Sequence, residues 1–271
     1  MIKMSNLLSL YNMEQTPFGR NISAENLFLS QNAAECVSRL KYSVANNEFA
    51  VFYGQIGIGK STLLRRIAHD LPQDQYFVVE ASDMKLNPRG FYRTMLASMG
   101  HAPVFLKSDA KRTLQKLIAE QRESLNRKTV CIIDEAQELR QDMFDELRFF
   151  LNTGYDSESP ASLILCGQLR LIQLLKLHEN QALFGRVNRF VHLNPLDRAD
   201  TARYIRAHLQ FAKGSEDIFS EKAIDLIFKQ TAGIPRQINA LCLNCLLYGV
   251  QRKKLTLDEF DVKTIIEQEL M

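Results

Sequence analysis

The stretch Gly54-Gln55-Ile56-Gly57-Ile58-Gly59-Lys60-Ser61 constrains this chain more than any other. It fits Gly-x-x-x-x-Gly-Lys-[Ser/Thr] and directly follows the apolar run Phe49-Ala50-Val51-Phe52-Tyr53. Glycines at 54, 57 and 59 let the backbone curl so that successive N–H groups converge with no β-carbon in the way. Such a nest suits an anion with several oxygens, and a phosphate answers that description. Lys60 then supplies a point charge for β- and γ-phosphates and Ser61 a hydroxyl for Mg²⁺. The helix expected from near Lys60 turns its positive dipole end toward the same anion. The loop from Gly54 through Thr62, with Gln55, Ile56 and Ile58, is the expected nucleotide contact.

A second stretch, Val130-Cys131-Ile132-Ile133-Asp134-Glu135, is an apolar run of the kind that fills the centre of a parallel sheet, ending in paired carboxylates. Alone, adjacent acids after a strand are usually a solvated loop. With the phosphate loop upstream they read as the other half of an NTPase site. Asp134 would hold Mg²⁺, directly or through water, and Glu135 would orient and activate the attacking water. Phosphoryl transfer also calls for positive charge as the transition state forms, which directs attention to downstream arginines.

In order, residues 1–30 carry a turn signal at Thr16-Pro17-Phe18-Gly19-Arg20 and are expected as an N-terminal flap packed on the core. Apolar periodicity predicts a helix over 31–46, and Pro72 ends one begun at Ser61. Further helices are expected over 87–100, 108–126 and 141–152, and strands over 49–53, 76–79, 129–133, 162–166 and 190–193. The alternation predicts an α/β domain over 31–195, a doubly wound parallel five-stranded sheet with ligands at the strand C-termini. Beyond Pro195 only helical patterns follow, a separate domain over 196–271 whose last helix is expected to open on the capping box Thr256-x-x-Glu259.

With 46% hydrophobic and 24% charged residues, 271 residues can bury a full core. No run reaches the length of a membrane span, and the N-terminus lacks a signal-peptide pattern, so a cytoplasmic protein without membrane contact is expected. Five cysteines suggest reduced thiols; Cys242-x-x-Cys245 lies on an apolar helical stretch and reads as core packing rather than a zinc site.

The successive stretches GQIGIGKS, VCIIDEAQEL, LILCGQLRLIQLL, FGRVNRFVHLNPL and AGIPRQINALC resemble the motifs of AAA+ ATPases. The nearest flavour is the ExeA/GspA-like and TnsC/MuB-like group, the latter being transposon target-selection regulators. The resemblance spans nearly the whole chain. It implies a P-loop AAA+ fold with a C-terminal helical lid, ATP as the nucleotide, and self-assembly into a ring or filament. It also assigns Gln168 as a sensor at the end of the fourth strand, although Asn or Thr is more usual there and the side chain could simply cap the next helix. Arg186 or Arg189 would be a finger reaching a neighbour's nucleotide, the other a surface ion-pair partner. Arg236 of Gly233-Ile234-Pro235-Arg236 would be the lid arginine.

Net charge is only +3, yet residues 83–128 hold ten Lys/Arg against four acids. The TnsC/MuB-like group contacts DNA in this region. Lys85, Arg89 and Arg93 recur every fourth residue, as suits backbone phosphates of duplex DNA without sequence reading. The resemblance thus implies duplex DNA, further copies of the chain, and a transposase or other transposition proteins as partners. An ATPase module serving secretion or envelope assembly is the alternative.

Overall fold

The computed structural model describes residues 4–19, 22–81, 86–151 and 159–269. The chain divides into two compact units: Gln31–Ile56 with Lys60–Leu193, and Met1–Ser30 with Gly57–Gly59 and Asn194–Met271. Helix α1 (Met4–Leu10) belongs to the second, helical unit. The α/β unit runs α2 (Gln31–Ala45), β1 (Phe49–Gly54), α3 (Lys60–Asp70), β2 (Tyr76–Ala81), α4 (Pro88–Ser98), α5 (Lys107–Glu123) and β3 (Lys128–Ile133). It continues through α6 (Gln141–Phe150), β4 (Ser162–Gly167), α7 (Leu169–Leu175), α8 (Gln181–Phe184) and β5 (Arg189–Leu193).

The strands form one parallel sheet in the order β2-β3-β4-β1-β5, the α/β architecture expected from the alternation. Both faces are covered, which is why the central strands are apolar without interruption: Phe49–Phe52 and Leu163–Cys166 are essentially inaccessible to solvent. Side chains alternate across the sheet. Phe49, Val51, Leu163 and Leu165 join residues of α4 to α7 in one core, while α2 and α3 cover the other face. At α4, Asn87 Oδ1 accepts from Gly90 N at 2.8 Å and Pro88 occupies the first turn, where its missing N–H costs nothing.

The helical unit adds α9 (Arg198–Phe211), α10 (Glu221–Thr231), α11 (Pro235–Arg252) and α12 (Glu259–Glu269). Residues expected as a flap on the core instead supply Leu7, Tyr11, Met13 and Phe18 to this unit's own core. Phe18 N donates to Nδ1 of the buried His208 at 3.2 Å, and the two rings stack. Burial lowers the His208 pKa to about 4. Cys242 and Cys245 are buried in the same core. The last helix starts two residues later than the sequence suggests. Asp258 rather than Thr256 caps it: Asp258 Oδ1 accepts from Phe260 N and Asp261 N, while Asp261 Oδ2 accepts from Asp258 N. No described helix is long and apolar enough to cross a membrane.

Candidate active site

Because β3, β4 and β1 are parallel neighbours, their C-terminal ends fall side by side: Ile133 is level with Leu165, and Tyr53 with Gly167. The segments leaving those ends are the phosphate loop, Asp134-Glu135 and Gln168. In the loop Gly57 and Gly59 have φ of +78° and +105°, conformations that a side chain would strain. Lys60, 6% exposed, donates through Nζ to Gly54 O at 3.1 Å and Gln55 O at 3.0 Å. An ammonium has three donors, and among the described residues no carboxylate pairs with this one. A buried, uncompensated cation beside a curled backbone fits an anionic ligand such as a nucleotide phosphate.

Ser61 Oγ donates to Asp134 Oδ2 at 2.6 Å, so the hydroxyl and carboxylate read as a Mg²⁺ pair are brought together. Asp134 Oδ1 in turn accepts from Glu135 N at 2.8 Å. Glu135 adopts φ 50° and ψ 37°, a left-handed conformation rarely taken by a branchless acid unless its surroundings hold it there. Burial, and after it Asp134, pushes the Cys166 thiol far above its ordinary range.

Gln137, whose sequence context declares no role, holds the Glu135 carboxylate. Its side chain is buried, at 3% exposure; Nε2 donates to Glu135 Oε2 at 2.6 Å, and Oε1 accepts from Gln168 N at 3.0 Å. Gly167 makes room for it, since a β-carbon there would lie 2.6 Å from Gln137 Oε1. Gln168 stands at the N-cap of α7 but does not cap it with its side chain; Nε2 points to Glu135 Oε2 at 3.4 Å. The only sequence signal for Gln137 was its position just beyond the carboxylate pair.

The two candidate fingers differ. Arg189 opens β5, at the opposite end of the strand from the phosphate loop. It forms a bidentate pair with Glu48, with Nε to Oε2 at 2.7 Å and Nη2 to Oε1 at 3.3 Å, and lies over the Tyr42 ring. Arg186 follows α8 and is half-buried, with Nη1 donating to Ala182 O at 3.1 Å. Arg236 is exposed, and within the helical unit, which includes Gly57–Gly59, its backbone N donates to Gly57 O at 3.1 Å. Ahead of it Ala232 and Gly233 are both left-handed, and a β-carbon on Gly233 would sit 1.9 Å from Leu196 O.

Of the three cations read as DNA contacts, Lys85 lies outside the described residues. Arg89 and Arg93 are exposed, four apart on α4. Arg89 donates to Phe105 O at 3.3 Å and covers that residue's ring at 4.9 Å.

Comparison with known proteins agrees with this geometry. Residues 44–175 match the model of the AAA domain. General secretion pathway protein A of Aeromonas hydrophila is 28% identical over 249 residues, covering 89% of this chain but 44% of that protein, so the chain spans less than half of that relative. Among solved structures, the Aeropyrum pernix ORC2 protein superposes with a TM-score of 0.67 at 14% identity, over 93% of this chain and 70% of that one. Drosophila ORC bound to DNA gives 0.68 at 13% identity, over 100% and 68%. Identities that low establish the fold alone. The match over 44–175 identifies an AAA domain in this chain; with the phosphate loop and the carboxylates brought beside it, the fold is that of an AAA+ P-loop ATPase.

Proposed function

We propose that this chain is an ATP-dependent, self-assembling regulator that binds duplex DNA with little sequence preference and acts in the choice of transposition targets. The observation that carries the catalytic part is the chain of contacts from Ser61 through Asp134 and Glu135 to Gln137 and Gln168. In this reading the loop from Gly54 to Thr62 cradles the phosphates and Lys60 neutralises them. Ser61 and Asp134 would hold Mg²⁺, which supplies charge stabilisation between the phosphates. Glu135 accepts the proton of the attacking water, Gln137 fixes that carboxylate's direction, and Gln168 senses the far side of it. Arg236 serves the bound nucleotide. Arg186, the finger candidate not engaged by Glu48, serves the nucleotide of a neighbouring subunit.

Support for the DNA part is the exposed pair Arg89 and Arg93 in a strongly basic region; the transposition assignment rests on the resemblance of motifs. The test is binding of duplex DNA at increasing salt with ATP present. Log affinity should fall steeply with log salt, and the slope should drop by about one for each cation removed. Arg89→Glu with Arg93→Glu should abolish DNA binding and leave nucleotide binding intact. A native protein that ignores DNA at low salt would favour the second reading, an ATPase module of secretion, for which the similarity to general secretion pathway protein A speaks.

A further inference from the structure

Between α4 and α5 lies a cavity of about 550 Å³, within the range of sites that accept small molecules. Leu86, Val104 and Phe105 give it apolar wall, and Arg89, Arg93 and Lys107 give it positive charge; among the described lining residues there is no carboxylate. Lys107 is already compensated, because its Nζ donates to Glu146 Oε2 at 2.7 Å, and the buried Glu146 also accepts from Tyr92 at 2.6 Å. Burial works to raise the Glu146 carboxyl, but these bonds hold it below the usual carboxylate range. The charge left over belongs to Arg89 and Arg93, which form no ion pair with a carboxylate among the described residues.

At the rim stands Phe105, a bare aromatic at 80% exposure. Arg89 already lies over its ring, an arrangement that strengthens stacking of an electron-rich or neutral π-face on the open side. Contact with the outside of a duplex requires neither a cavity nor a free ring, since phosphates are met by cations on a convex surface. A nucleotide out of the stack requires both.

We propose that this cavity receives an unpaired nucleotide of a DNA strand, its base laid on the Phe105 ring and its flanking phosphates on Arg89 and Arg93. The proposal rests on the DNA-binding reading above and deepens it: the DNA preferred here is single-stranded or locally opened.

The sequence provides a direct reporter, because it contains no tryptophan and Phe105→Trp would introduce the only one. Its fluorescence is followed on titration, in low salt with ATP and Mg²⁺, with a short oligodeoxythymidylate or with a blunt duplex of equal length. Saturable quenching by the single strand and little by the duplex is expected. In a filter-binding assay Phe105→Ala should lose roughly tenfold in single-strand affinity and change duplex affinity less than twofold. Nucleotide affinity, unchanged in both variants, certifies their fold. Unaltered single-strand affinity in Phe105→Ala, or equal quenching by both DNAs, would overturn the pocket while leaving the DNA reading in place. Absence of binding to either DNA by the native chain would overturn both.

Discussion

Glu135 occupies a backbone conformation that its own side chain disfavours, and its carboxylate accepts from Gln137 Nε2. Replacing Gln137 with Met keeps the volume and removes both the donor and the acceptor. We expect kcat to fall by about tenfold or more with nucleotide affinity unchanged, while Glu135→Gln, which removes the proposed base, should cost on the order of a hundredfold. Single-turnover hydrolysis beside an equilibrium binding titration separates the two quantities. Gly167→Ala should behave like Gln137→Met, because the new methyl displaces the same amide. Arg189→Ala should lower stability slightly and leave turnover intact, since its guanidinium serves Glu48 at the other end of the strand. At this scale the loop and the carboxylates were legible from spacing, because each is contiguous in sequence. Gln137 was not, because its meaning depends on the end of β4, thirty-one residues away at Gln168.

Among the elements, the strands were readable where burial on both faces forces an unbroken apolar run, as in β1, β3 and β4. Helix α1 was not, since its seven residues have no propensity strong enough to declare a helix and owe it to burial of Leu7 in the helical unit. The same packing hides the role of His208, which is an ordinary histidine in sequence but must remain neutral when folded. Its pKa is depressed, so the unfolded chain binds the extra proton first. Stability is full above the unfolded value near 6.5 and is lost as pH falls toward about 4. Denaturant unfolding of the native chain should lose about 2 kcal/mol between pH 7 and pH 5 relative to His208→Gln. Equal losses in the two would show that His208 is accessible to protons in the folded state. Gly233→Ala should be among the most destabilising single changes in the helical unit, about 3 kcal/mol or more, because a methyl cannot coexist with Leu196 O.

For the whole molecule, the proposed mechanism draws Lys60, the candidate metal pair Ser61 and Asp134 and the candidate water-orienting Glu135 from the α/β unit, and it still calls for an arginine at the transferred phosphoryl group. In the proposed function Arg186, on the segment before β5, is the residue through which a second copy would complete the site. An arginine finger contributes about 10³-fold or more to turnover, so an isolated subunit should be nearly silent. The decisive measurement is phosphate release per subunit as a function of protein concentration, with Mg²⁺ and saturating ATP, for the native chain and for a mixture of Arg186→Ala with Lys60→Ala. In the mixture one partner keeps an intact phosphate loop and the other an intact finger. The expected result is a specific activity that rises with concentration, loss of turnover in each variant alone, and partial recovery when they are combined. A specific activity independent of concentration, with no recovery in the mixture, would contradict a shared site and identify a self-contained monomer.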